Sequence, residues 1–195
     1  MRRFSLLSSI LLLAISFKAQ AQSREFKFPE IGWTINVPSD ITVLDSAKEE
    51  ALSERGKEAI EKTFDTTVDI SDTKILISLT KGLYNYFSTT ITPLDTVKDG
   101  PWIESIPILK HGILETFMSQ MPDMKIDTSS SVEKIKGLDF QVFHLILTYP
   151  NGMVMHCFIY DAMLKGYDFG VSISYTDEKI GGQLKEILTS SKFEN

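Results

Sequence analysis

Phe140-Gln-Val-Phe-His144-Leu-Ile-Leu-Thr-Tyr149, then Pro150-Asn151-Gly152, then Met153-Val-Met-His156-Cys157-Phe-Ile-Tyr-Asp-Ala-Met163 is the stretch whose reading decides the fold. Two almost continuous apolar runs flank a three-residue Pro-Asn-Gly connection, the pattern of a β-hairpin closed by a type I turn and a glycine bulge. Apolarity on both sides of each run predicts strands covered on both faces. If Tyr149 pairs with Met153, Ile146 faces His156 and His144 faces Phe158. Both imidazoles then lie diagonally on one sheet face. Met153, Met155 and Cys157 alternate on the other face, opposite Tyr149, Leu147 and Leu145.

The pattern continues outward in both directions. Downstream, Lys165-Gly166 reads as a turn and Tyr167–Tyr175 as a further strand. Asp177 and Glu178 open a last helix with Ile180, Leu184, Ile187 and Leu188 on its apolar side; Gly181-Gly182 within it suits close packing. Upstream, the Ser/Thr-rich segment Lys125 to Lys136 reads as an edge strand or a loop. Ile106, Leu109, Ile113, Leu114, Phe117 and Met118 recur at helical spacing between Glu104 and Met121, with Pro107 in the first turn and Pro122 ending the pattern. Lys74 to Thr80 and Leu83 to Leu94 read as a hairpin joined tightly by Lys81-Gly82. Ser46-Ala-Lys-Glu49 has capping-box spacing, and a helix should follow, with Leu52, Ala59, Ile60 and Phe64 on its inner side. Phe26 to Val37 and Ile41 to Leu44 supply short strands at the start. The expectation is an α+β fold: an antiparallel sheet of about six strands flanked by helices on both faces.

Residues 1–21 read as a cleaved export signal. Arg2 and Arg3 are basic, Leu6 to Phe17 are mostly apolar, and Ala19-Gln20-Ala21 has small residues at the cleavage positions. The apolar run falls short of the roughly 20 residues that span a bilayer. The lone cysteine, Cys157, is not placed to carry a lipid. The expected product is therefore one domain, residues 22–195, soluble in the periplasm or outside the cell. Formal charge is −6, from 20 Lys+Arg against 26 Asp+Glu, and loss of Arg2, Arg3 and Lys18 makes it three units more negative. That balance argues against a nucleic-acid partner and against docking on anionic lipid. With a single cysteine no internal disulfide forms, and Cys157 in its apolar run reads as buried and inert.

Candidate chemistry is sparse. His144 and His156 are candidate metal ligands, with His111 as a third, although neither strand offers a carboxylate on their face. Met153, Met155 and Cys157 raise cuprous copper, against which core packing is the simpler reading. Asp95, Asp99 and Glu104 near Trp102 suit a sugar or cation site, or a solvated loop. The chain has no Gly-x-Ser-x-Gly elbow, Walker loop or Gly-x-Gly-x-x-Gly turn. No catalytic residue and no cofactor is indicated.

Three places resemble one superfamily. Phe28-Pro-Glu-Ile-Gly-Trp33-Thr-Ile-Asn-Val-Pro38-Ser-Asp40 is similar to the strand, proline and polar turn that open PsbP-like domains. Gly166-Tyr-Asp-Phe-Gly-Val-Ser172 resembles their penultimate strand, and Ile187-Leu188 through Phe193 their closing helix and tail. The resemblance implies an antiparallel sheet sandwiched between helices in a mainly non-catalytic fold. Its members include extrinsic subunits of the photosynthetic oxygen-evolving complex and a nuclear transport factor. Fold analogy does not transfer a partner. The expected role is an exported binding or accessory protein for an unknown protein or small ligand. The alternatives are an envelope metal-binding protein and a hydrolase with an unrecognised site.

Overall fold

The computed structural model describes residues 23–95, 97 and 100–194. Residues 1–21, expected to be an export signal, and Asp99 lie outside these. Among the described residues no helix is long and apolar enough to cross a membrane.

The chain runs β1 (Ser23–Phe28), β2 (Trp33–Pro38), β3 (Thr42–Val43), α1 (Ser46–Phe64), β4 (Lys74–Thr80), β5 (Tyr86–Pro93) and α2 (Trp102–Gln120). It continues through β6 (Lys125–Ile135), β7 (Leu138–Thr148), β8 (Val154–Leu164), β9 (Tyr167–Tyr175), α3 (Glu178–Thr189) and β10 (Lys192–Phe193). Seven strands form the principal antiparallel sheet, in the order β3-β4-β5-β9-β8-β7-β6, and β1-β2-β10 form a second, small one. The expected α+β class holds. The principal sheet has one strand more than expected, and its inner face is shared between α3 and the small sheet rather than covered by helices alone.

The deciding hairpin adopts its predicted register: His144 opposes Phe158, Ile146 opposes His156 and Leu147 opposes Met155. Tyr149 N–H donates to the Met153 carbonyl at 2.8 Å, and Gly152 takes φ 83° to close the bulge. Three expectations need correction. The cap of α1 is Asp45, one residue before Ser46, because its carboxylate accepts from the Lys48 amide at 3.0 Å. Helix α2 starts at Trp102, so Pro107 lies beyond its first turn. The β4–β5 connection is no two-residue turn: buried Asn85 holds residues 81–85 as a loop. It donates to the carbonyls of Lys81 and Leu83, and accepts from Thr176 and Asp177 amides at the start of α3.

The two faces of the sheet differ. On the inner face Phe87, Ile91, Phe140, Tyr160, Phe169, Val171 and Ile173 pack against Trp33, Ile35 and Val37 of the small sheet and Leu184, Ile187 and Leu188 of α3. Gly181 lets α3 approach, since a Cβ there would stand 2.5 Å from the Tyr175 ring. On the outer face a smaller cluster of Phe143, Leu145, Leu147 and Cys157 lies under Ile113, Leu114 and Phe117 of α2. Helix α1, also expected to press an apolar side onto the sheet, buries none of its residues; Leu52, Ile60 and Phe64 stay 45%, 36% and 42% exposed.

Candidate functional site

The outer face has two halves, and their difference is written in the strands. Along β5 and β9, alternate residues point to opposite faces. Phe87 and Ile91, with Phe169, Val171, Ile173 and Tyr175, face the core. Tyr86, Ser88 and Thr90, with Asp168, Gly170, Ser172 and Ser174, face outward. Register places Ser88 opposite Ser172, Tyr86 opposite Ser174, and Ser78 of β4 opposite Ser88. The hydroxyls of Ser78 and Ser88 share a hydrogen bond of 3.1 Å.

Between α1 and this hydroxyl-bearing floor lies a cleft of about 640 Å³. Ser78, Ser88, Thr90 and Ser174 form its floor; Leu44, Leu52, Ile70 and Ile75 supply apolar contacts; Glu49, Glu50 and Glu54 of α1 form an acidic wall. Among the described residues no histidine, cysteine, lysine or arginine lines it. The cleft is thus built for hydrogen bonding and apolar contact together, the mixture that orients a ligand.

Beside the cleft, under the start of α2, lie two carboxylates. Asp161 is 5% exposed and opposes Gly170, whose missing side chain leaves room for the Thr90 hydroxyl on the other side. Burial pushes its pKa up to about 7; the neighbouring Asp168 adds to this and Lys110 opposes it. Burial also raises Asp168, while Trp102, donating from Nε1 at 3.0 Å, lowers it. Trp102 is therefore an anchor of α2 to β9. Asp95 and Glu104 were the carboxylates expected beside it, but its hydrogen-bond partner is Asp168.

The histidines meet on the inner face, at its open end beside α3. His144 Nε2 and His156 Nδ1 are 3.1 Å apart, so one ring donates and the other accepts. His156 Nε2 stands 3.3 Å from Glu178, a carboxylate from α3 that strand reading alone did not supply. Phe158 stacks on His144 and Tyr175 on His156, and the Lys185 ammonium sits 3.4 Å above the Phe158 ring. His144 is held below the usual histidine range, chiefly by burial and also by the nearby His156 and Lys185, with Glu178 opposing. The result is a row, Glu178–His156–His144, in which the two rings share a hydrogen bond and the carboxylate lies 3.3 Å from His156. His111 is exposed on α2, across the sheet, and is not brought to them. Among the described residues no group of three or more His, Cys, Asp or Glu is placed to hold a metal.

Cys157 opposes Leu145 and Ser174 on the α2-covered face, and burial raises its thiol to about 12. Met155 packs against the same cluster. This agrees with the packing reading of both residues. The hydroxyl floor and the Asp161–Asp168 pair were not found from sequence. The signal was present in the alternation of Tyr86 to Thr92 and Tyr167 to Tyr175, whose polar sides meet in register.

No protein-family model matches the chain, and no curated protein does. Solved structures do. The solution structure of cyanobacterial PsbP (CyanoP) from Synechocystis sp. PCC 6803 has a TM-score of 0.58 at 9% identity, covering 89% of this chain and 94% of that one. A crystal structure from Bacteroides thetaiotaomicron VPI-5482 has a TM-score of 0.49 at 10% identity, over 89% of this chain and 49% of that one. LpqN, described as involved in cell envelope biogenesis of Mycobacterium tuberculosis, has a TM-score of 0.40 at 11% identity, over 89% and 91%. The likeness to CyanoP defines the class of fold: PsbP-like α+β, as the sequence resemblance implied.

Proposed function

We propose that this chain is an exported, non-catalytic binding or accessory protein that holds its partner or ligand in the cleft under α1. One observation carries the reading: a helix that buries none of its residues stands over a floor of Ser and Thr hydroxyls on an otherwise well-packed sheet. Folded proteins bury polar surface at a cost unless it is hydrogen-bonded, so such a floor is compatible with water or a polar ligand and not with a dry core. The described lining offers hydroxyls, carboxylates and apolar side chains, groups that suit the orientation of a bound ligand. The test is a photoreactive benzoylphenylalanine at Leu52, in the cleft wall, against one at Glu186, exposed on α3. In cells exporting the protein, a discrete adduct from position 52 alone is expected. Equal adducts from both positions, or none from position 52, would refute the reading.

A second reading, an envelope metal-binding protein using His144 and His156, rests on their spacing. Tetrahedral zinc with bonds of about 2.0–2.1 Å separates two nitrogens by roughly 3.3 Å, close to the 3.1 Å between Nε2 and Nδ1. Metal analysis of protein purified without chelator, beside the His144→Ala/His156→Ala variant, separates the two. Stoichiometric metal lost with both histidines would favour this reading, and its absence from the wild type would end it.

A further inference from the structure

Strand β6 is an unguarded edge. Its only strand partner among the described residues is β7, to which it is paired without interruption from Lys125 to Ile135. Six consecutive residues, Asp127 to Val132, are exposed. Native sheets usually protect such an edge with proline, a bulge, mid-strand lysine or a very short strand. The opposite edge follows that rule, since β3 is two residues long. Strand β6 does not: it has eleven residues, no proline and no bulge, and its lysines stand at positions 125 and 134, near its ends.

We infer that β6 is a homodimer interface, pairing antiparallel with β6 of a second copy about a two-fold axis at Ser129. The strand's own sequence selects that register. Centred on Ser129, Lys125 of each copy lies opposite Glu133 of the other, and Ile126 lies opposite Val132; Thr128 then meets Ser130, and Ser129 meets itself. Centred one residue later, on Ser130, Asp127 would lie opposite Glu133 twice, and directly opposed like charges are unfavourable. Lys125 and Glu133 share the inner face with Ser129 and Ser131. Ile126 and Val132 share the outer face, where Ile126 already packs against the Phe143–Leu145–Leu147 cluster under α2. Val132 is 59% exposed in the isolated chain, and pairing would place it against Ile126 of the second copy, extending that cluster across the seam. The strand's four charged residues, Lys125, Asp127, Glu133 and Lys134, sum to zero, so the acidic character of the whole chain does not oppose contact here. The present partner of Lys125 is Asp127, 2.9 Å away in an exposed pair that is readily exchanged.

A single strand seam is a small interface, and weak, reversible association is expected, with a dissociation constant on the order of 100 μM. The experiment is sedimentation equilibrium of the protein purified after export, across a concentration series, with amide exchange of β6 measured alongside. The wild type should pass from monomer to dimer with rising concentration, and β6 amides should gain protection together with it. Lys125→Glu alone and Glu133→Lys alone should each remain monomeric, whereas the double charge swap should restore the dimer. A wild type that stays monomeric throughout would overturn the inference. So would a dimer indifferent to both single changes. If a monomeric wild type instead takes up a synthetic extended peptide, the edge serves a foreign strand and self-pairing is wrong.

Discussion

Replacing Asp161 with Asn should stabilise the protein in mild alkali and destabilise it by about 1–3 kcal/mol in acid, where the carboxyl is neutral and only the cost of the buried amide is left. Asp161 lies on β8 beneath α2, 5% exposed, with its pKa raised from 3.8 to about 7 by burial first and by Asp168 second. Because the folded value lies above the unfolded one, charging this carboxyl is harder in the folded protein. Stability is therefore full below the unfolded pKa, near pH 4, and is lost progressively as pH rises towards about 7. At about 1.4 kcal/mol per unit, the raised value costs the fold on the order of 4 kcal/mol at pH 8. An amide removes that charge but brings two donors to a buried place, offsetting about 1–3 kcal/mol. The net gain is then about 2 kcal/mol, or a rise in Tm of roughly 4–8 °C for a domain of this size. Denaturant melts from pH 4 to pH 8 measure it directly. The variant should lose less stability than the wild type as pH rises, keeping only the slope due to Asp168 and other groups. A variant that follows the wild-type curve at every pH would refute the reasoning.

Other expectations follow from packing. Gly181→Ala should destabilise by about 1–2 kcal/mol, the clash with the Tyr175 ring outweighing the helix preference of Ala. Gly182→Ala, with nothing within 4 Å, should be neutral or stabilising by up to about 1 kcal/mol; thermal melts of both would distinguish packing from propensity. Asn85→Ala removes the acceptor for the Thr176 and Asp177 amides and should cost about 2–3 kcal/mol, with amide exchange of those two residues rising first. Cys157, with its thiol raised to about 12, should not react with a disulfide reagent at pH 8 until the protein unfolds; prompt native labelling would show an open strand.

The parts of the fold that were legible in the sequence are those set by local pattern. The Pro150-Asn151-Gly152 turn fixed the β7–β8 register, and through it the meeting of His144 and His156. Asp177 capped α3 where acidic residues were expected to open it, its carboxylate accepting from the Ile180 amide. The small sheet was harder to see, because β10 is two residues long and gains its partner, β2, from the far end of the chain. The cleft was hidden for a different reason. Leu52, Ile60 and Phe64 have helical spacing, but whether such a side is buried depends on what it faces, and Leu52 faces strands that present hydroxyls. Glu178 escaped notice because its contact with His156 joins a helix to a strand, beyond the reach of strand alternation.

The central claim is that the cleft under α1 is occupied when the protein is at work. Since Cys157 is buried, Ser88→Cys places one reactive thiol on the cleft floor. Its labelling rate, compared between cells exporting the protein and the purified protein at the same pH, reads occupancy directly. Slower labelling in cells, returning to the free rate after purification, is the predicted result. Equal rates in both settings would contradict the account.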